Sequence, residues 1–240
     1  MDDVWDLPHE ALAALPVFPL ANVVLLPGMV LPLNVFEPRY LDLVDALEAG
    51  AGYVGVPLIE EPSAAFEDAP AVSDVFGVGR MTFHRRLPDG RRFVRVHGLR
   101  RVAAVREHPR TTPYRVFEVR PLPEPPLREP VLREILCTQL ERIATTFDDG
   151  EREILRSVAS VQDPRMLAYA VTAILPALGL SAPGGGVETG PAAGRGIVAV
   201  QQRCLAAADT DERFRLLIEH TGWITGILGE SGRFPRVMFN

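Results

Sequence analysis

The sequence predicts an α+β protein, a β-rich first half followed by a helical second half. Three observations predict it. Short apolar runs broken by proline and glycine fill roughly the first 120 residues. A proline-rich connector, Pro121-Leu122-Pro123-Glu124-Pro125-Pro126, ends that pattern. Beyond it, apolar residues recur at spacings of three and four, the mark of amphipathic helices. The boundary is therefore placed between a β-rich domain over 1–122 and a helical domain over 123–240. A chain of 240 residues, 47% of them hydrophobic, can bury a core without disulfide staples.

The strands are read in order as Val17 to Leu20, Leu31 to Phe36, Tyr53 to Ile59, Val75 to Phe83, Arg92 to His97, Leu99 to Val105 and Tyr114 to Val119. Turn residues separate them: Pro27-Gly28, Pro88-Asp89-Gly90, Gly98 and Pro113. Pro88-Asp89-Gly90 lies between Met81–Arg86 and Arg91–Val96 and predicts a hairpin. One helix interrupts this half. Pro38 opens it as a first-turn proline, Gly50 stops it, and Tyr40, Leu43, Val44 and Leu47 share one face.

In the second half, Val131, Leu132, Ile135, Leu136, Leu140 and Ile143 form one helical stripe, and Ile154, Leu155 and Val158 a second. Asp163-Pro164 is a cap followed by a first-turn proline and opens a helix to Leu178. The segment 181–196 holds six glycines and two prolines and reads as a flexible loop before helices at about 197–207 and 212–227.

Composition excludes several chemistries. All 25 basic residues are arginine, so the chain can build no lysine Schiff base, Walker A lysine or Ser-Lys dyad. Two cysteines, Cys137 and Cys204, read as small buried apolar residues in a reducing compartment. The five histidines form no metal-binding pair. No GxSxG elbow or GxGxxG turn is present, and the adjacent acids Glu60-Glu61 and Asp148-Asp149 read as solvated loop charges. Neither a cofactor nor a metal is expected. Residues 11–36 are apolar, but Pro16, Pro19, Pro27 and Pro32 interrupt them, so no membrane span is predicted. With an acidic amino terminus, the expected setting is cytoplasmic.

Charge is uneven along a chain of net −6. Residues 1–79 carry 1 Arg against 13 acids, a net −12, whereas residues 80–120 carry 12 Arg against 3 acids, a net +9. The candidate basic patch is Arg85, Arg86, Arg91, Arg92, Arg95, Arg100 and Arg101 around the predicted hairpin, with Arg80 beside it. Strand alternation is expected to divide these arginines between two faces.

Several stretches resemble a known family. Leu15 to Leu20, Val24-Leu25-Leu26-Pro27-Gly28 and Leu31 to Tyr40, ending in Phe36-Glu37-Pro38-Arg39-Tyr40, resemble the opening signature of the Lon protease N-terminal, substrate-binding domain. Gly77-Val78-Gly79-Arg80, Asp89-Gly90-Arg91, Val96 to Arg101 and Pro113-Tyr114 are similar to its later strands. Asp163-Pro164, Leu178-Gly179-Leu180, Gln201-Gln202, Leu205 and Asp209 to Leu217 are similar to its closing helices. The resemblance covers roughly residues 15–228.

It implies a PUA-like β pseudo-barrel followed by a helical bundle. It also implies a non-catalytic module that recognises polypeptide, an unfolded substrate or partner protein, as an adaptor in protein quality control. Lon enzymes continue from such a domain into an ATPase and a Ser-Lys protease, which a chain without lysine is not expected to supply. Recognition is expected through apolar grooves and exposed sheet edges. A homo-oligomer is left open by the apolar tail Phe234 to Phe239.

The candidate recognition or structural motif is Phe36, Glu37, Pro38, Arg39 and Tyr40. Glu37 and Arg39 are expected to hold a strand-to-helix corner together, with Phe18, Phe36 and Tyr40 in the core. The alternative function is RNA binding by the arginine-rich 80–101 hairpin. The chain's overall acidity counts against nucleic acid.

Overall fold

The structure is a computed structural model and describes residues 7–175 and 191–231. The acidic start, the glycine-rich stretch 181–190 and the apolar tail Phe234 to Phe239 lie outside the described residues. The chain divides into two compact units at the Leu122–Pro123 junction.

The first unit contains α1 (His9–Ala13), β1 (Leu15–Val17), β2 (Val30–Val35), α2 (Pro38–Ala49), β3 (Tyr53–Val56), a 3-10 turn (Pro62–Phe66), β4 (Val75–Arg86), β5 (Arg92–Glu107) and β6 (Arg115–Pro121). The strands form one mixed sheet in the order β2-β5-β4-β3-β1-β6, with a further β5–β6 pairing. That last pairing closes β5, β4, β3, β1 and β6 into a ring, not a regular barrel. β2 pairs with the first half of β5 and β6 with the second half. β1 runs parallel to β3, with Val17 opposite Gly55; the other pairings are antiparallel.

Leu15, Val17, Phe76, Val78, Val102, Phe117 and Val119 form one core cluster of the unit. A second gathers Val94 and Val96 of β5, Val35 of β2 and the buried face of α2: Tyr40, Leu43, Val44 and Leu47. Burying each such side chain stabilises by about 1.5–3 kcal/mol. α2 therefore cannot leave the sheet without large loss, and it ends at Gly50 as the sequence predicts.

The turn predicted at Gly98 is not there. β5 continues through it with a register shift against β4, Gly79 facing Gly98 and Val78 facing Arg100, and Gly98 admits a crossing loop. Gly98 N–H donates to Met29 O at 2.7 Å, and Gly28 N–H donates to Gly98 O at 2.9 Å. A Cβ on Gly98 would stand 2.1 Å from Leu26 O, and one on Gly77 would stand 1.9 Å from Leu25 O. The missing side chains let Leu25–Gly28 lie directly on the strands. The hairpin turn does form, with Gly90 at φ +87°, a left-handed conformation that suits glycine.

The second unit holds α3 (Pro130–Ala144), α4 (Asp149–Ala159), α5 (Pro164–Ile174), α6 (Pro191–Ala206) and α7 (Thr210–Ser231). Leu132, Leu136, Leu140 and Ile143 of the first predicted stripe are buried, while Val131 and Ile135 face solvent. Residues 191–196, read from sequence as loop, are the first turns of α6. Asp148, read as a loop charge, caps α4 by accepting from Glu151 N–H at 3.1 Å. Asp163 caps α5 through Arg165 N–H at 2.8 Å.

Asp211, in the first turn of α7, is buried and accepts from Arg128 N–H at 3.2 Å and Glu129 N–H at 2.9 Å, where α3 begins. Burial pushes its carboxyl up, and those bonds with the Arg128 guanidinium outweigh it and hold it below the usual range. Arg213 is fully buried, 4.2 Å from the Tyr169 ring centre, donating to Cys204 O at 2.9 Å and to Glu124 at 3.2 Å. No described helix is long and apolar enough to cross a membrane.

Candidate functional site

The Phe36–Tyr40 motif makes the corner between β2 and α2. Pro38 occupies the first helical turn, where its missing N–H costs nothing. Arg39 Nε donates to Glu37 Oε2 at 3.0 Å, and Arg39 Nη1 donates to Glu67 O at 3.2 Å. The same guanidinium lies 4.6 Å from the Tyr40 ring centre. Tyr40 is buried against Phe18 with ring centres 4.2 Å apart, and burial pushes its phenol up despite the neighbouring Arg39. Phe36 departs from the expectation that it is core: it is 66% exposed. It falls one residue beyond the last strand position of β2, past the buried Val35, and so escapes the core.

Beside this corner lies a small cleft lined by Pro19, Arg39, Tyr40, Asp68, Pro70, Arg110, Pro113, Tyr114 and Arg115. Its guanidinium groups are engaged by the protein itself. Arg110 pairs with Asp68. Arg115 grips both carboxylate oxygens of Glu107 at 2.8 Å and donates to Pro70 O at 2.7 Å. The Arg115 hydrogen bond holds the Glu107 carboxyl below its usual range. A cleft whose cations are already satisfied stiffens the ring more than it offers a ligand new contacts.

The arginine cluster is divided, as alternation requires, but the division leaves a coherent outer face. β2, β5 and β4 lie side by side, and their register sets three rows: Val30–His97–Arg80, Pro32–Arg95–Phe83 and Asn34–Phe93–Arg85. In these rows the β2 residues, Arg80, Phe83, Arg85 and Arg95 are exposed, with Phe93 and His97 half-buried. The intervening positions on β2 and β5 face inward. Among them Arg92 is buried and pairs with Asp45 of α2. Arg91 pairs with Asp89 in the turn at 2.7 Å. Arg101 is buried and Arg100 half-buried, and Arg86 projects near the hairpin end on the inward set.

On the outer face, the Phe83 and Phe93 ring centres are 6.1 Å apart, edge to face. The Arg95 guanidinium lies 5.4 Å from one and 5.9 Å from the other. Arg80 leans to the rim, donating to Ala51 O at 3.1 Å. None of the nine positions is acidic. The sequence names Arg85 and Arg95 as candidates, but Phe83, Phe93, Val30 and Pro32 are missed. The signal was available as period-two alternation in 91–97, but in 80–86 a register shift between Met81 and Phe83 breaks it; only register decides that Arg80, Phe83, Arg85 and β2 join the same face.

The free edge of β2 beside this face carries a proline in its middle. Gly98 N–H bonds to Met29 O, so alternation places the bonded pairs of β2 and β5 at Leu31, Leu33 and Val35. Pro32 therefore turns its nitrogen to the free edge, where it has no hydrogen to give. A strand added there would meet a gap in its ladder.

Neither cysteine is poised for chemistry. Burial pushes the Cys204 thiol up to about 11 and raises that of the half-buried Cys137. Among the described residues, no group of three or more His, Cys, Asp or Glu side chains could hold a metal ion.

The model of the ATP-dependent protease La (LON) substrate-binding domain matches residues 14–178. Lon protease 1 of Herpetosiphon aurantiacus is 30% identical over 165 residues, 65% of this chain and 20% of that protein. Lon protease of Koribacter versatilis is 30% identical over 171 residues, 68% of this chain and again 20% of the relative. The chain thus spans about a fifth of the length of these curated relatives. Among solved structures, the N-terminal domain of a Mycobacterium avium complex Lon protease superposes with a TM-score of 0.64 at 20% identity, covering 87% of this chain and 98% of that one. The Lon N-terminal domain protein from Xanthomonas campestris gives 0.57 at 25% identity, covering 86% and 98%. With residues 14–178 matched, more than half of its length, the chain belongs to the Lon substrate-binding domain family.

Proposed function

We propose that this chain is a non-catalytic module that recognises polypeptide, unfolded substrates or partner proteins, and that it serves as an adaptor in protein quality control. The observation that carries the reading is the match of residues 14–178 to a substrate-binding domain. Two features of the molecule support it. The guanidiniums of the described cleft are engaged by the protein itself, which leaves few free polar groups to orient a small molecule. The outer face of β2, β5 and β4 is broad and carries exposed apolar groups, a surface suited to an extended chain. The thiols are held up by burial and the chain has no lysine, so nucleophilic chemistry has little to build on.

Fluorescence anisotropy tests the reading. The labelled ligand is a model protein reduced and blocked with iodoacetamide, compared with its native form. Saturable binding of the unfolded form alone is expected. Equal binding of both forms, or binding of neither, would overturn it.

A further inference from the structure

The outer face of β2, β5 and β4 has a chemistry of its own. Phe83 and Phe93 meet edge to face with the Arg95 guanidinium beside both rings. Arg85 stands opposite Phe93 in the next row. Exposed Phe36 and Val30 flank the two ends of β2. Among the described residues no carboxylate pairs with Arg85 or Arg95, in contrast to Arg91, Arg92, Arg110 and Arg115 of the same unit. The face is therefore cationic and aromatic on a protein whose net charge is −6. A cation beside an aromatic ring loses little by staying in water, yet it gains when a carboxylate arrives and the neighbouring apolar surface is covered with it.

We propose that this face binds polypeptide segments in which carboxylates are interspersed with apolar side chains, the carboxylates meeting Arg85 and Arg95 and the apolar groups covering Phe83, Phe93 and Phe36. The proposal rests on the polypeptide-recognition reading above and names the substrate class it selects. Contact is by side chains across the face and not by strand addition, because Pro32 breaks the donor row of the free β2 edge. Single-stranded nucleic acid is disfavoured by charge density. Each nucleotide brings a phosphate, Arg80, Arg85 and Arg95 neutralise few of them, and the protein's remaining net negative charge repels the rest. An acidic-apolar peptide brings fewer charges and more surface to cover.

Three fluorescent ligands of equal length decide the matter: an acidic-apolar peptide, the same peptide with every acid replaced by arginine, and oligouridine. The acidic peptide should bind at least about tenfold more tightly than the basic one at low salt, the ratio narrowing as salt is raised. Arg85→Glu with Arg95→Glu should invert that preference while lowering the thermal unfolding midpoint by no more than the few degrees the Arg95–ring contacts contribute. Phe83→Ser should weaken both peptides together. A basic peptide that matches the acidic one, or a preference that survives the double reversal, overturns the proposal and leaves the broader reading standing if the unfolded model protein still binds. Oligouridine bound more tightly than the acidic peptide and lost in the double variant overturns it in favour of nucleic acid. If the unfolded model protein also fails to bind, the recognition reading itself falls.

Discussion

Replacing Gly98 by alanine probes the contact that seats the Leu25–Gly28 loop on the sheet and so feeds the chain into β2. The new Cβ would stand 2.1 Å from Leu26 O, well over 1 Å short of the roughly 3.5 Å separation that non-bonded atoms prefer. The obstacle is a backbone oxygen, so no rotamer change relieves it and truncating Leu26 offers no rescue. Strain of this kind costs about 1–3 kcal/mol or more. The loop must also lift, stretching the bonds between Gly98 and both Gly28 and Met29, each worth about 1 kcal/mol. A total near 4 kcal/mol is expected, a shift of roughly 10–20 °C for a unit of this size. Gly90→Ala is the internal comparison. Nothing lies within 4 Å of its Cβ position, so only its positive φ is strained, at about 1 kcal/mol. Urea denaturation followed by circular dichroism measures both. A loss of less than about 1 kcal/mol in Gly98→Ala, or one no greater than in Gly90→Ala, would mean that the Leu25–Gly28 loop is not seated by this contact.

Other expectations concern both units. Arg213→Met removes a fully buried guanidinium from Glu124, Cys204 O and the Tyr169 ring, and should destabilise the helical unit by about 3 kcal/mol in urea, because Glu124 loses its buried cation. Iodoacetamide at pH 8 should modify Cys137 before Cys204, whose thiol is pushed up to about 11 by burial; mass spectrometry of the native and urea-unfolded protein reads the order. Glu107 and Asp163 are held below the usual carboxylate range by hydrogen bonds from Arg115 and Arg165. Each therefore binds its proton more weakly in the folded state, stabilises fully above the unfolded value of about 4, and loses that contribution as pH falls through the folded value. Glu107→Gln with Asp163→Asn should flatten the acid limb of the unfolding midpoint against pH.

Local chemistry made much of the fold legible. Pro38, the spacing of Tyr40, Leu43, Val44 and Leu47, and Gly50 fix α2 at both ends, and Asp163-Pro164 fixes the start of α5. The failures share a cause. Gly98 reads as a turn because a glycine's signal is the same whether it bends the chain or admits another strand of it, and only the Leu25–Gly28 loop distinguishes the two. Phe36 reads as core because its hydrophobicity is local while its placement past Val35 is not. The arginines show the same limit. Alternation separates Arg92 from Arg95 correctly, but which strands lie beside them is a matter of register. Phe83 and Pro32 therefore join Arg95 in one row that no linear reading assembles.

Backbone amide shifts in an isotopically labelled sample, titrated with the iodoacetamide-blocked unfolded protein, locate where polypeptide binds. Binding at the outer face predicts perturbations confined to β2, the Met81–Arg86 arm of β4 and Phe93–His97 of β5, saturating together. Shifts that cluster instead on α3 to α7, or around the Arg39–Arg115 cleft, would contradict it.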